Sequence, residues 1–177
     1  MSCQSLYSSF IIHYQKNGDL VIMILNNIHK WVEEIIIPKS ELNGLPICPY
    51  AKQALQIYSV EECDFHSIED KISKCDVLKH KVCIFYFKDY HTYDTLILEE
   101  KTKDLNEKFK PKDIIVLDND PRNPFIINNV KTSFDECYLW LAQSASDLNI
   151  KSEELKQKTI YYSFWTKEQL DDVVNWR

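Results

Sequence analysis

The chain has 177 residues, 45% of them hydrophobic and 12% aromatic, enough to bury one sizeable core. Its net charge is −6 and its only arginines are Arg122 and Arg177, which argues against nucleic acid as a partner, since basic charge and bidentate guanidinium contacts carry that recognition. The two glycines, Gly18 and Gly44, exclude a phosphate-cradling P-loop and a dinucleotide fingerprint, each of which needs closely spaced glycines.

Six cysteines occur, and no two are spaced as C-x-x-C, so neither a zinc ribbon nor a dithiol redox motif is expected. The start has no charged segment leading into a long apolar run, so no signal peptide is expected. The longest apolar run, Leu20 to Leu25, is too short to cross a bilayer. A cytoplasmic protein with reduced thiols and no membrane partner is the expectation.

In chain order, Phe10 to Ile12 reads as a short strand, Asn17-Gly18 as a turn and Leu20 to Leu25 as the paired strand. Residues 1–22 are expected to be a peripheral extension, with 23–177 as a single α/β domain. Asn26 or Asn27 caps a helix whose apolar face carries Ile28, Trp31, Val32, Ile35 and Ile36, and Pro38 ends it. A turn at Gly44 then leads into Cys48 and Pro49, which opens a helix to about Gln56.

Residues 57–63 suit a strand, 65–75 a modest helix and 81–88 a strand buried on both faces. Residues 93–109 place Leu96, Ile97, Leu105 and Phe109 on a helical face, which Pro111 stops. Residues 113–118 form the next central strand. Strand, helix and strand with short links predict a parallel crossover. A polar loop, Asp118 to Pro124, follows, with a short strand over 125–130. Ser133 and Glu136 have the spacing of a capping box, predicting a helix that buries Phe134, Cys137, Tyr138, Leu141 and Trp140. Ser152 is expected to cap a short helix over 151–158. The aromatic run Ile160 to Trp165 packs against the sheet or its edge, and Thr166 with Gln169 opens a last helix to Trp176.

Cys48 is the leading candidate for chemistry. At a helix N-terminus, free backbone N–H groups and the helix dipole favour a thiolate, which serves as nucleophile or metal ligand. The competing reading is a small apolar residue filling a turn. His91, after the buried strand, is the best-placed base, or else an ordinary loop residue. Asp118 and Asp120 form a D-x-D at a strand's carboxyl end, a pattern that holds hard cations or simply serves a turn. Arg122 beside them captures an anion or pairs with either aspartate.

The segments Trp31-Val32 and Gly44-Leu45-Pro46-Ile47-Cys48-Pro49-Tyr50-Ala51 together resemble the signature of an uncharacterised bacterial family. In that family a tryptophan-bearing helix is followed by Gly-Leu-x-x-Cys-Pro-(Phe/Tyr)-Ala. Its second feature, an Arg-x-Pro-aromatic segment after an acidic loop, is similar to Arg122-Asn123-Pro124-Phe125. Where the family places a histidine a few residues on, this chain has Ile126-Ile127-Asn128-Asn129. No activity is assigned to the family, so the resemblance implies a fold and not a reaction. Cys48-Pro49-Tyr50 is also similar to the glutaredoxin motif, but Ala51 stands where the second cysteine would be. The D-x-D resembles the first motif of haloacid-dehalogenase-like phosphatases, which carry it near the start of their fold.

The expected fold is a single α/β sandwich with a central sheet of about four strands and packed helices, with a ferredoxin-like arrangement as the alternative. Three functions follow. The first is a small enzyme using the Cys48 thiolate, with His91 and the Asp118–Arg122 loop lining one pocket. The second is a non-enzymatic interaction module presenting Tyr161, Trp165 and Trp176. The third is a divalent-metal site at Asp118 and Asp120. No cofactor is expected; the partner is a small molecule or a protein.

Overall fold

The structure is a computed structural model and describes residues 21–49, 51 and 58–176. The expected strand at 10–12, the turn at 17–18 and most of the helix after Pro49 lie outside the described residues.

Helix α1 covers residues 21–34. Ile24, Ile28 and Val32 recur every fourth residue and are buried, so one apolar stripe faces the sheet. The expected strand at Leu20–Leu25 is therefore corrected to helix from residue 21, the first one described. The apolar stripe continues through Asn26-Asn27, so these are interior residues and not caps; the Asn27 amide donates to Glu136 Oε1 at 2.6 Å. After α1, strand β1 (Pro38–Lys39) pairs antiparallel with β2 (Leu45–Pro46). Asn43 and Gly44 reverse the chain between them at φ of 54° and 77°, a region those two residues tolerate best.

The main sheet contains β3 (Tyr58–Glu62), β4 (Val82–Phe87), β5 (Ile114–Asn119) and β8 (Tyr138–Ser144) in the spatial order β3-β4-β8-β5. Strands β3 and β4 run parallel, joined by helix α2 (Ile68–Lys74). Helix α3 (Thr95–Phe109) links β4 to β5. Both strands are antiparallel to β8, so they run parallel to each other with β8 in the gap. The expected parallel crossover is present in direction, but its strands are not neighbours. That split crossover is shared with the ferredoxin-like alternative, whereas the adjacent parallel β3–β4 pair, with helices on both faces of the sheet, belongs to the α/β sandwich reading.

The helix expected from Ser133 is the largest correction. Residues 138–144 form the inner strand β8, buried along nearly its whole length. The run Tyr138-Leu139-Trp140-Leu141-Ala142 is apolar without a break, which suits a strand covered on both faces as well as it suits a helix. Ser133 and Glu136 are spent elsewhere: Ser133 Oγ accepts from the Phe125 N–H at 2.7 Å, and Glu136 takes the Asn27 amide. The strand expected at 125–130 is a hairpin of β6 (Ile126–Ile127) and β7 (Val130–Lys131), turning at Asn128 and Asn129, both at positive φ.

Helix α4 spans Ala145–Lys158 and is capped by Ser144, not by Ser152. Asp113, at φ 61°, fixes that corner: its carboxylate accepts from Ser144 Oγ, Ser146 Oγ and the Ser146 N–H, and its carbonyl from the Ala145 N–H. The Thr166–Gln169 capping box opens α5 (Lys167–Leu170), which continues as a π-helical turn over Asp171–Asn175.

Side chains from alternate positions of the sheet feed two cores. Cys83, Phe85, Phe87, Val116, Tyr138, Trp140 and Ala142 meet α2 and α3 on one face. Ile84, Tyr86 and Leu139 meet α1 on the other, with Leu141 packed against them. The result is a four-stranded mixed sheet with helices on both faces, a single-domain α/β fold. Among the described residues no helix is long and apolar enough to cross a membrane.

Candidate functional site

Strand β5 is an edge of the sheet. A groove of about 1460 Å³ runs along it and takes in residues from both faces. On the α1 side its floor is Ile84, Leu117, Leu141 and Gln143. Its walls there are Trp31 and Ile35, the turn Ile47-Cys48-Pro49, and the rings of Phe125, Tyr161 and Trp165. On the α3 side it is lined by Glu99, Thr102, Asn106, Asp118 and Asp120.

The turn that carries Cys48 is tied down by backbone bonds. The Cys48 N–H donates to Ile35 O at 2.9 Å, and the Ala51 N–H to Cys48 O at 3.1 Å. The Tyr161 hydroxyl donates to the Ile47 carbonyl next door. Cys48 is half-buried, while Cys63, Cys83 and Cys137 are buried. Burial pushes the Cys63 thiol up, and the Cys137 thiol up to about 12, so both are held as inert protonated groups.

The aromatic wall is a packed cluster. Trp165 lies 5.3 Å from Phe125, 5.7 Å from Tyr161 and 5.5 Å from Tyr162, between ring centroids. Tyr161 is buried and Trp165 and Trp176 are half-buried, so these rings pack in part into the groove wall. The Trp165 indole N–H is buried and has no hydrogen-bond partner among the described residues. On the floor, Gln143 is the polar member of the alternation Leu139, Leu141, Gln143. Its amide makes no hydrogen bond among the described residues. A mostly apolar concavity with a few polar groups is the usual form of a small-molecule site.

Asp118 faces the opposite side of the sheet from Leu117 and Asn119. Its carboxylate accepts from the Tyr138 hydroxyl at 2.9 Å. That hydroxyl lies 3.4 Å from Thr102 Oγ1, which accepts from Trp140 Nε1 at 2.9 Å and donates to Leu98 O. Asp118 is exposed at the groove by its surface area, and the protein atoms near its carboxylate still desolvate it. That desolvation pushes its pKa up against the Tyr138 hydrogen bond, and the nearby Glu99 and Asp120 charges add to the rise.

Asp120 is committed to Arg122. Guanidinium Nε and Nη2 bond the carboxylate at 2.9 and 2.7 Å, the Arg122 N–H adds a third bond at 2.8 Å, and Nη1 donates to Tyr93 O. Burial alone would raise the Asp120 pKa; the Arg122 bonds and charge outweigh it and hold the carboxyl below the usual range. Arg122 also lies over the Tyr90 ring, 5.2 Å from its centroid. His91 is exposed and touches the edge of that same ring at 5.7 Å. Among the described residues, no group of three or more His, Cys, Asp and Glu side chains is arranged to hold a metal ion.

The structure thus brings Cys48, Asp118 and Asp120 to one groove, but places the thiol on the α1 side and the carboxylates on the α3 side. His91 and Arg122 gather around Tyr90, at the carboxyl ends of β4 and β5, and do not line that groove. Sequence reasoning missed the part played by Gln143, whose position in the floor becomes readable only once β8 is known to be a strand. It also missed Asn106 and Asn119, whose amides bind the backbone of Val116 and Phe134 in both directions. Comparison with known proteins finds no matching family model, curated relative or solved structure.

Proposed function

We propose that this protein binds a small organic molecule with an apolar body in the α1 side of the groove, against the Cys48 thiol. The observation that carries this reading is convergence. Trp31, Cys48 and Phe125 stand far apart in the chain, belong to the three segments that resemble the bacterial family, and line the same groove. The ligand's apolar part would lie on Leu117, Leu141 and the aromatic wall. Its polar part would meet the Gln143 amide, which makes no hydrogen bond among the described residues and offers both a donor and an acceptor. Cys48 is the group here able to form a covalent bond with what is bound, so a thiol-dependent enzyme is the activity this site suits. A cytosolic, reducing setting fits that use of the thiol.

The test is a panel of chloroacetamides of equal intrinsic reactivity and different bodies. Those with a flat apolar body should label Cys48 with saturating kinetics and faster than a small polar member. Rates that rise linearly with concentration and ignore the body would overturn the reading.

A further inference from the structure

Two other cysteines form a pair that plays no part in the groove. Cys83 is the second residue of β4, 1% exposed. Cys75 follows α2 as its C-terminal cap and is half-buried, packed on the same core cluster as Cys83. The two thiols share a side-chain hydrogen bond, and Cys83 accepts another from Ser59, its partner in the β3–β4 register. Both stand as thiols.

We infer that Cys75 and Cys83 are a redox modification site that closes to an intramolecular disulfide when the chain meets a small disulfide such as oxidised glutathione. Access orders the steps. Cys75 is the sulfur a reagent can reach; after losing its proton to solvent, it attacks one sulfur of the small disulfide. That S–S bond breaks, a Cys75 mixed disulfide forms and one thiolate leaves. Cys83 then attacks the Cys75 sulfur, the protein disulfide forms and the second thiolate leaves. The two protein thiols are oxidised, the small disulfide is reduced to two thiols, and those take up the two protons. The hydrogen bonds from Cys75 and Ser59 favour the Cys83 thiolate and lower its pKa, against burial and the Asp76 and Glu61 charges. The same shared proton, with burial, pushes Cys75 up. Cys83, 1% exposed and beyond a reagent's reach, is the resolving sulfur.

The experiment treats the native full chain with oxidised glutathione, blocks remaining thiols with N-ethylmaleimide and digests with trypsin. Lys74, Lys79, Lys81 and Lys88 flank the two cysteines, so residues 75–79 and 82–88 leave as separate peptides. The expected result is that they are recovered joined, and that dithiothreitol separates them. Recovery of both as separate peptides carrying maleimide or glutathione would overturn the inference. In Cys83→Ser, Cys75 should stop at the glutathione adduct; an unmodified Cys75 in that variant would overturn the proposed order of attack.

Discussion

Thr102 shows how much a single hydroxyl organises here. It is buried, and it gives the Trp140 indole its partner while tying back to Leu98 O. Thr102→Val keeps the shape and strands that indole N–H. It should cost about 1–3 kcal/mol in urea unfolding; no change in the midpoint would contradict the network. Asp118 and Asp120 should respond to pH with opposite signs. The lowered pKa values of Asp120 and Asp113 stabilise the fold above the usual carboxylate range, and that contribution drains away as pH falls below about 4. The raised pKa of Asp118 works the other way: its ionised form is a burden once pH exceeds the raised value. Asp118→Asn, which still accepts from Tyr138, should therefore raise the melting temperature at neutral pH and lose that gain in acid. Destabilisation at neutral pH would contradict this account of the site.

Among the elements, β5 is the exposed flank of the sheet and is covered by one side chain. Asn106 on α3 donates to Val116 O and accepts from the Val116 N–H, both at 2.8 Å, in place of a neighbouring strand. Asn106→Ala removes two hydrogen bonds and should cost about 1–3 kcal/mol, with faster aggregation through the bared edge. Unchanged unfolding and light scattering would show that the edge needs no cover. Thr166→Ala should cost about 1 kcal/mol by opening the capping box of α5.

The elements legible in the sequence are those whose pattern matches one period. Strands β3, β4 and β5, helix α3 and the Thr166–Gln169 cap fall where turn residues and periodicity place them, but the buried face of α3 is Leu98, Thr102, Leu105 and Phe109, and the expected Leu96 and Ile97 are exposed. The first turns of helix α1 and the whole of strand β8 depart from the expectation for the same reason. Each holds an unbroken apolar stretch, and its burial is decided by partners more than a hundred residues away in the case of the Asn27–Glu136 contact. The capping box expected at Ser133 failed because local spacing does not reveal that Glu136 is drawn to α1 instead.

On the scale of the whole molecule, the split crossover leaves β5 as an edge, and the edge makes the groove. The sequence marked Cys48, Asp118 and Asp120 by their local chemistry, but not the sheet face on which each lies. Facing follows from strand register, and register depends on β8. The segments around Trp31, Cys48 and Arg122–Phe125 were each visible as motifs; only folding shows that Trp31, Cys48 and Phe125 border one cavity while Arg122 turns aside to Asp120 and Tyr90. The most direct measurement is the alkylation rate of Cys48 by iodoacetamide in the native chain and in urea, read peptide by peptide with Cys63 and Cys137 as internal references. An open groove predicts that native Cys48 reacts at a rate of the same order as in urea while Cys63 and Cys137 stay protected. A native Cys48 as slow as those two would contradict it.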